Sequence, residues 1–119
     1  MKKILVINND FDTMVLLKNW LEKKAYKVKY TGKREEIPEI AGTFNPELIM
    51  VDVQQKEALE DLKTNKVTSS VPVLLMTGYT LRSKYNQSLV DDIIEKPFNL
   101  PLLERKIEKL ISKNNYQER

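Results

Sequence analysis

The chain has 119 residues, with 20 Lys and Arg against 17 Asp and Glu for a net charge of +3, and contains neither cysteine nor histidine. A chain of this length forms one domain that buries most of the surface its unfolded form exposes. The two absences exclude disulfides, thiolate and imidazole catalysis and the ordinary zinc sites, which leaves carboxylate, hydroxyl and lysine chemistry.

The run Lys3-Ile4-Leu5-Val6-Ile7 is rich in β-branched residues and stops at Asn8-Asn9-Asp10, which predicts a first, buried strand. Asp10 or Asp12 then N-caps a helix through about Lys24, with Leu17, Trp20, Leu21 and Lys24 on one face. Residues 26–30 alternate with period two, as in an edge strand with one wet face, and Gly32 ends it. From Glu36 to Phe44 the residues Ile37, Ile40, Ala41 and Phe44 recur at helical spacing, Pro38 is tolerated in the first turn, and Asn45-Pro46 breaks the helix. The apolar run over 47–52 ends on a single carboxylate, Asp52, and reads as a strand buried on both faces.

Ala58, Leu59 and Leu62 support a short helix over 54–65. Residues 71–76 form a fourth strand with Pro72 near its start, ending at Thr77-Gly78. A polar helix is expected over 81–90, and Ile93-Ile94 gives a very short fifth strand. After Lys96-Pro97-Phe98-Asn99, residues 101–113 form a helix with Leu103, Ile107, Leu110 and Ile111 on one face, and 114–119 read as a frayed polar tail.

Five strands alternating with five helices predict a three-layer α/β domain built on a doubly wound parallel sheet, with no room for a second domain. The longest apolar runs are too short to cross a bilayer, and the apolar run after Lys2-Lys3 is too short for a signal peptide, so a cytoplasmic location is expected. Lysines are spread among acidic residues as on a solvated surface, so neither a membrane nor a nucleic acid is expected as partner. Ligands in such folds gather at the carboxyl ends of the strands. Three of those ends carry chemistry: Asn8-Asn9-Asp10, Asp52 and Thr77, with Lys96 after the fifth.

In this order, an apolar first strand followed by polar residues, LIMVD ending on Asp52, LLMTG ending on Thr77-Gly78, and EKPF carrying Lys96-Pro97, the chain resembles the receiver domain of two-component response regulators over nearly its whole length. The resemblance implies a flavodoxin-like five-stranded parallel sheet of order 2-1-3-4-5. It implies phosphoryl transfer from a sensor histidine kinase, a phosphotransfer protein or a small phosphodonor to Asp52, with Thr77 and Lys96 contacting phosphoryl oxygens and Lys96-Pro97 as a cis peptide. Output would be a protein contact made by the face of the fourth helix, fifth strand and fifth helix. Such a domain is no enzyme beyond its own phosphoryl transfer and hydrolysis, and the expectation is a stand-alone receiver spanning 1–119 without an output domain.

The chain departs from the family in three places. Receivers follow the first strand with two acidic residues that bind Mg²⁺, where this chain has Asn8 and Asn9; Asp10 comes one residue later. Mg²⁺ favours carboxylates, so metal ligation falls to Asp52 and Asn9 at best, and binding is expected to be weak or absent. The loop after Asp52 is about five residues shorter than the family's proline- and glycine-bearing loop. Ile93 stands where an aromatic switch residue is usual. Two alternatives follow: a pseudo-receiver that binds partners without phosphorylation, and a small flavodoxin-like enzyme binding a nucleotide or flavin, against which stands the lack of a Gly-rich loop, since glycine occurs only at 32, 42 and 78.

Overall fold

The computed structural model describes residues 2–52, 57–78 and 89–117, with side chains through 112. Its elements run β1 (Lys3–Ile7), α1 (Phe11–Lys23), β2 (Lys27–Thr31), a 3₁₀ turn (Arg34–Glu36), α2 (Ile37–Phe44), β3 (Leu48–Asp52), α3 (Glu57–Thr64), β4 (Val73–Gly78), β5 (Asp92–Lys96) and α4 (Leu100–Gln117). The five strands form one sheet in the order β2-β1-β3-β4-β5, with every pairing parallel. The helix expected over 81–90 lies almost wholly outside the described residues, as do residues 53–56.

Strand alternation divides the core into two layers, because successive side chains point to opposite faces of the sheet. Ile4, Val6, Leu48, Met50, Leu74, Met76 and Ile94 pack with Leu17 and Leu21 of α1 and with Leu103, Ile107, Leu110 and Ile111 of α4. Leu5, Ile7, Ile49, Val51, Val73, Leu75 and Ile93 pack on the other side with Ile37 and Ala41 of α2 and Ala58, Leu59 and Leu62 of α3. Both faces of β1 and β3 are therefore sealed, which is why those strands read as unbroken apolar runs. β2 is an edge strand: Lys27 and Lys29 are exposed, whereas Val28 and Tyr30 are half-buried against the α1–α4 layer.

Several boundaries differ from those expected. β2 runs over 27–31 rather than 26–30, set by register with β1 from Lys3↔Lys27 to Ile7↔Thr31. β4 starts after Pro72, whose carbonyl still accepts from the Ile49 N–H at 3.0 Å, and takes in Thr77 and Gly78. β5 is five residues long because pairing with β4 continues from Leu74↔Asp92 to Gly78↔Lys96 and draws Asp92, Glu95 and Lys96 into the ladder. Asp92 is compensated there by Lys106, whose ammonium lies 2.9 and 3.0 Å from its two oxygens. The tail expected from 114 is helical through Gln117: once α4 is anchored by Leu110 and Ile111, each added residue gains a backbone bond without a new nucleation cost.

Local chemistry explains the helix ends. α1 closes with Ala25 N–H bonded to Glu22 O at 3.0 Å and Tyr26 N–H to Leu21 O at 3.1 Å, with Ala25 in the left-handed region at φ 68°. α2 ends the same way on Asn45, at φ 52°, a residue that tolerates this conformation better than alanine does. Between the 3₁₀ turn and α3, the Arg34 guanidinium forks onto Asp61, and that hydrogen bond holds the Asp61 carboxyl below its usual range. A carboxyl depressed in the folded state stabilises above the unfolded value of about 3.9 and loses that contribution as acid titrates it.

Two substitutions test this account in opposite ways. Ala25→Gly relieves a left-handed alanine and is expected to raise stability by about 1 kcal/mol. Gly42→Ala, in α2 where an added Cβ meets nothing within 4 Å, is expected to gain roughly 0.5–1 kcal/mol by restricting the unfolded chain. Urea unfolding of each variant at neutral pH checks both, and a loss of stability at either position would contradict the local geometry described.

Candidate functional site

β1 lies between β2 and β3, so the chain winds in opposite directions from it and leaves a crevice at the carboxyl ends of β1 and β3. Asn8 follows β1 and Asp52 is the last residue of β3. Both are buried, at 1% and 4% exposure. By strand alternation Asn8, Asp52 and Lys96 continue the face of Val6, Met50 and Ile94, whereas Thr77 continues that of Leu75.

Three of these groups meet. The Lys96 ammonium pairs with Asp52 Oδ2, and Asn8 Nδ2 donates to the same oxygen at 3.3 Å. Lys96 ends β5, two strands from β3 and therefore roughly 9.5 Å across the sheet, a span its long side chain covers over the end of β4. The Lys96 side chain is 30% exposed and that of Asp52 5%, so the pair sits at the mouth of the crevice with the carboxylate inside. The Lys96–Pro97 peptide bond is cis.

Asn8 uses both ends of its amide. Its Oδ1 accepts from the Asp10 N–H, which turns the chain toward α1, while its Nδ2 reaches Asp52. A carboxylate at position 8 can accept but cannot donate, so in this arrangement it would face Asp52 as a like charge.

The remaining expected site residues lie around this contact. Thr77 is fully buried and donates its hydroxyl to Gly78 O at 3.0 Å. Asn9 and Asp10 are exposed. Asp10 takes the N-cap position of α1, as expected, and its carboxylate accepts from the Thr13 hydroxyl. The Thr13 hydroxyl is the main cause holding the Asp10 carboxyl below its usual value, and the positive charge of Lys96 acts in the same direction. Ile93 pairs with Leu75 and is buried in the layer under α2 and α3, away from the crevice opening.

Receivers hold Mg²⁺ with carboxylates, and the residues here do not fit that ion. Among the described residues Asp52 is the one buried carboxylate, and its Oδ2 already carries an ammonium and an amide. Mg²⁺ requires near-octahedral oxygen ligands with carboxylate charge. Among the described residues no group of three or more His, Cys, Asp or Glu side chains is assembled that could hold a metal.

Sequence reading missed Gly32 as part of the site. The pattern marks it only as the end of a strand, yet it lies directly against Asn9. Parallel pairing of Ile7 with Thr31 brings the residues after each strand side by side, and a glycine at such a position signals close backbone approach.

An all-parallel 2-1-3-4-5 sheet with a strand-end aspartate, a lysine reaching it from the last strand and a cis proline after that lysine is the arrangement that the resemblance to receiver domains implies. No family model matches the chain. It is 28% identical over 123 residues to the transcriptional regulatory protein CpxR of Escherichia coli K12, an alignment covering 99% of this chain and 53% of that protein. The chain thus spans about half the length of such relatives. Among solved structures, it superposes on a response regulator receiver modulated diguanylate cyclase from Pelobacter carbinolicus with a TM-score of 0.86 and 29% identity, covering 99% and 98% of the two chains. It also superposes on the Thermotoga maritima response regulator TrrA in complex with Mg²⁺ and BeF, with a TM-score of 0.80 and 26% identity over 92% of this chain and 99% of that one. In sequence and fold the chain is similar to the receiver domains of response regulators.

Removing one member of a buried ion pair strands the other, whereas removing both does not. Lys96→Met is expected to cost roughly 2–3 kcal/mol, at or below the lower end for buried pairs because the lysine is partly solvated. Adding Asp52→Asn should recover at least half of that loss. Asn8→Asp should destabilise the domain at neutral pH through carboxylate repulsion. Millimolar Mg²⁺ should shrink that deficit. Thermal unfolding at neutral pH, with and without Mg²⁺, reads all three.

Proposed function

We propose that the chain is a response-regulator receiver domain that takes part in two-component signal transduction, with Asp52 accepting a phosphoryl group from a phosphohistidine of a sensor kinase or phosphotransfer protein, or from a small phosphodonor. The observation that carries the reading is the convergence of Lys96 on the buried Asp52 carboxylate at the sheet's topological switch point. A carboxylate oxygen attacks phosphorus; the O–P bond forms as the P–N bond to the donor imidazole breaks, and the imidazole leaves with the bonding pair. Phosphoryl transfer requires mainly positioning and charge neutralisation. Lys96 brings positive charge to the transferred group, and Thr77 reaches it if its hydroxyl turns from Gly78 O. Mg²⁺ contributes little, since Asn8 and Asn9 replace the usual acidic pair.

Output is proposed to pass through a protein contact on the β5–α4 face, together with the segment over 81–90. A groove of about 400 Å³ on that face is lined by Ile94, Pro97, Leu102 and Lys106 among others. Leu102 is exposed there. No helix among the described residues is long and apolar enough to cross a membrane.

A second reading, a pseudo-receiver working without phosphorylation, is favoured by the Asn8 amide, which already occupies Asp52 Oδ2 together with Lys96. Incubation with a small acyl phosphate or with beryllofluoride, with and without Mg²⁺, separates the two. Phosphorylation predicts one phosphoryl adduct by intact mass, absent in Asp52→Ala and little changed when Mg²⁺ is withheld. No adduct and no amide shift around Asp52 in either condition would replace it with the pseudo-receiver.

A further inference from the structure

Asn8 Nδ2 donates to Asp52 Oδ2, so whatever places Asn8 also bears on how the carboxylate is held. Beyond its Asp10 contact, the Asn8 backbone N–H donates to Thr31 O at 2.9 Å, extending the β1–β2 ladder past the end of β1. Thr31 is itself secured: its hydroxyl donates to Glu36 Oε1 at 2.8 Å and accepts from the Lys33 N–H at 3.0 Å. The corner after β2 is thus a firm seat for the segment that carries Asn8.

Gly32 completes that seat. A Cβ on Gly32 would fall 2.7 Å from Asn9 Cβ, 3.1 Å from Asn9 Cα and 3.2 Å from Asn8 O. The first is shorter than real Cβ contacts show, and the atoms met are backbone or the root of a side chain, which cannot swing aside. Gly32 does not lie in the left-handed region, so space rather than torsion requires the glycine. Neither Gly42 nor Gly78 is crowded in this way.

We infer that Gly32 is a positioning residue for the Asp52 pocket: lacking a side chain, it lets the Asn8-Asn9 segment lie against the end of β2, and that placement directs the Asn8 amide onto Asp52 Oδ2. The inference concerns the pocket of the proposed function but rests on packing, and it holds whether or not Asp52 is phosphorylated. Any side chain at 32 lifts the segment and breaks or lengthens the Asn8–Asp52 bond, although the two residues are 44 apart in sequence.

Two-dimensional NMR of the full chain tests this through the Asn8 side-chain NH₂ pair, which reports the bond without any phosphodonor. In Gly32→Ala both Asn8 Nδ2 protons should move toward the position of a solvated asparagine and exchange faster with water, while the amides of β3 and β4 keep their shifts. Adding Asn9→Gly to Gly32→Ala removes the other partner of the 2.7 Å contact, the shortest of the three, and should move the Asn8 resonances back toward their parent positions. Gly42→Ala, an uncrowded glycine, should leave them unmoved. Unchanged Asn8 resonances in Gly32→Ala, or a perturbation that persists in the double variant, would overturn the inference. If Gly32→Ala does not fold, the double variant decides: folding with parent Asn8 resonances supports the role, and failure to fold refutes it.

Discussion

A carboxylate buried to 4% exposure needs compensation, and the crevice of this domain is arranged around that need at Asp52. Compensation comes from the last strand, through Lys96, and from the loop after the first, through Asn8. Those two groups are separated by nearly the whole chain, so their meeting depends on the parallel sheet and its 2-1-3-4-5 order. The strands that frame the crevice are sealed by helices on both faces, which keeps water from doing the same work. Fold and site are therefore one constraint: a misplaced edge strand would leave the charge unpaired.

The amide at position 8 changes what kind of site this is. Where a pair of acids would gather negative charge and call for a divalent cation, Asn8 supplies a donor to Asp52 and an acceptor to Asp10 at once. In the structure the ammonium of Lys96 lies on the same Asp52 oxygen. A lysine is a point charge on a flexible stem, without the fixed multi-ligand geometry of a bound ion. The pocket accordingly depends on hydrogen bonds within the loops to set direction, and on Lys96 for charge.

Much of this arrangement is legible in the sequence. The unbroken apolar runs of β1 and β3, the period-two pattern near β2 and the helical spacing in α1, α2 and α4 each reflect how many faces are buried, which is what hydrophobic periodicity records. The ends of elements are less legible, because ladder pairing can recruit charged residues such as Asp92 and Glu95 into a strand when a partner like Lys106 waits nearby. At the site, residue types announced Asp52, Thr77 and Lys96 at the strand ends. Which of them touch did not follow from spacing: alternation sends Thr77 to the other side of β4, and its hydroxyl binds backbone. Gly32 escaped notice because its role is a distance to Asn9, and a one-dimensional pattern holds no such distance.

The two outer strands bear on how copies of this domain behave toward one another. An edge strand offers unpaired N–H and C=O groups to any neighbour, and flat apolar edges invite sheets to grow from molecule to molecule. β2 presents exposed Lys27 and Lys29 along one such edge. Two copies approaching through it would bring like charges together before a single ladder bond could form. The alternation that reads as a half-wet strand thus also disfavours strand pairing between copies along that edge.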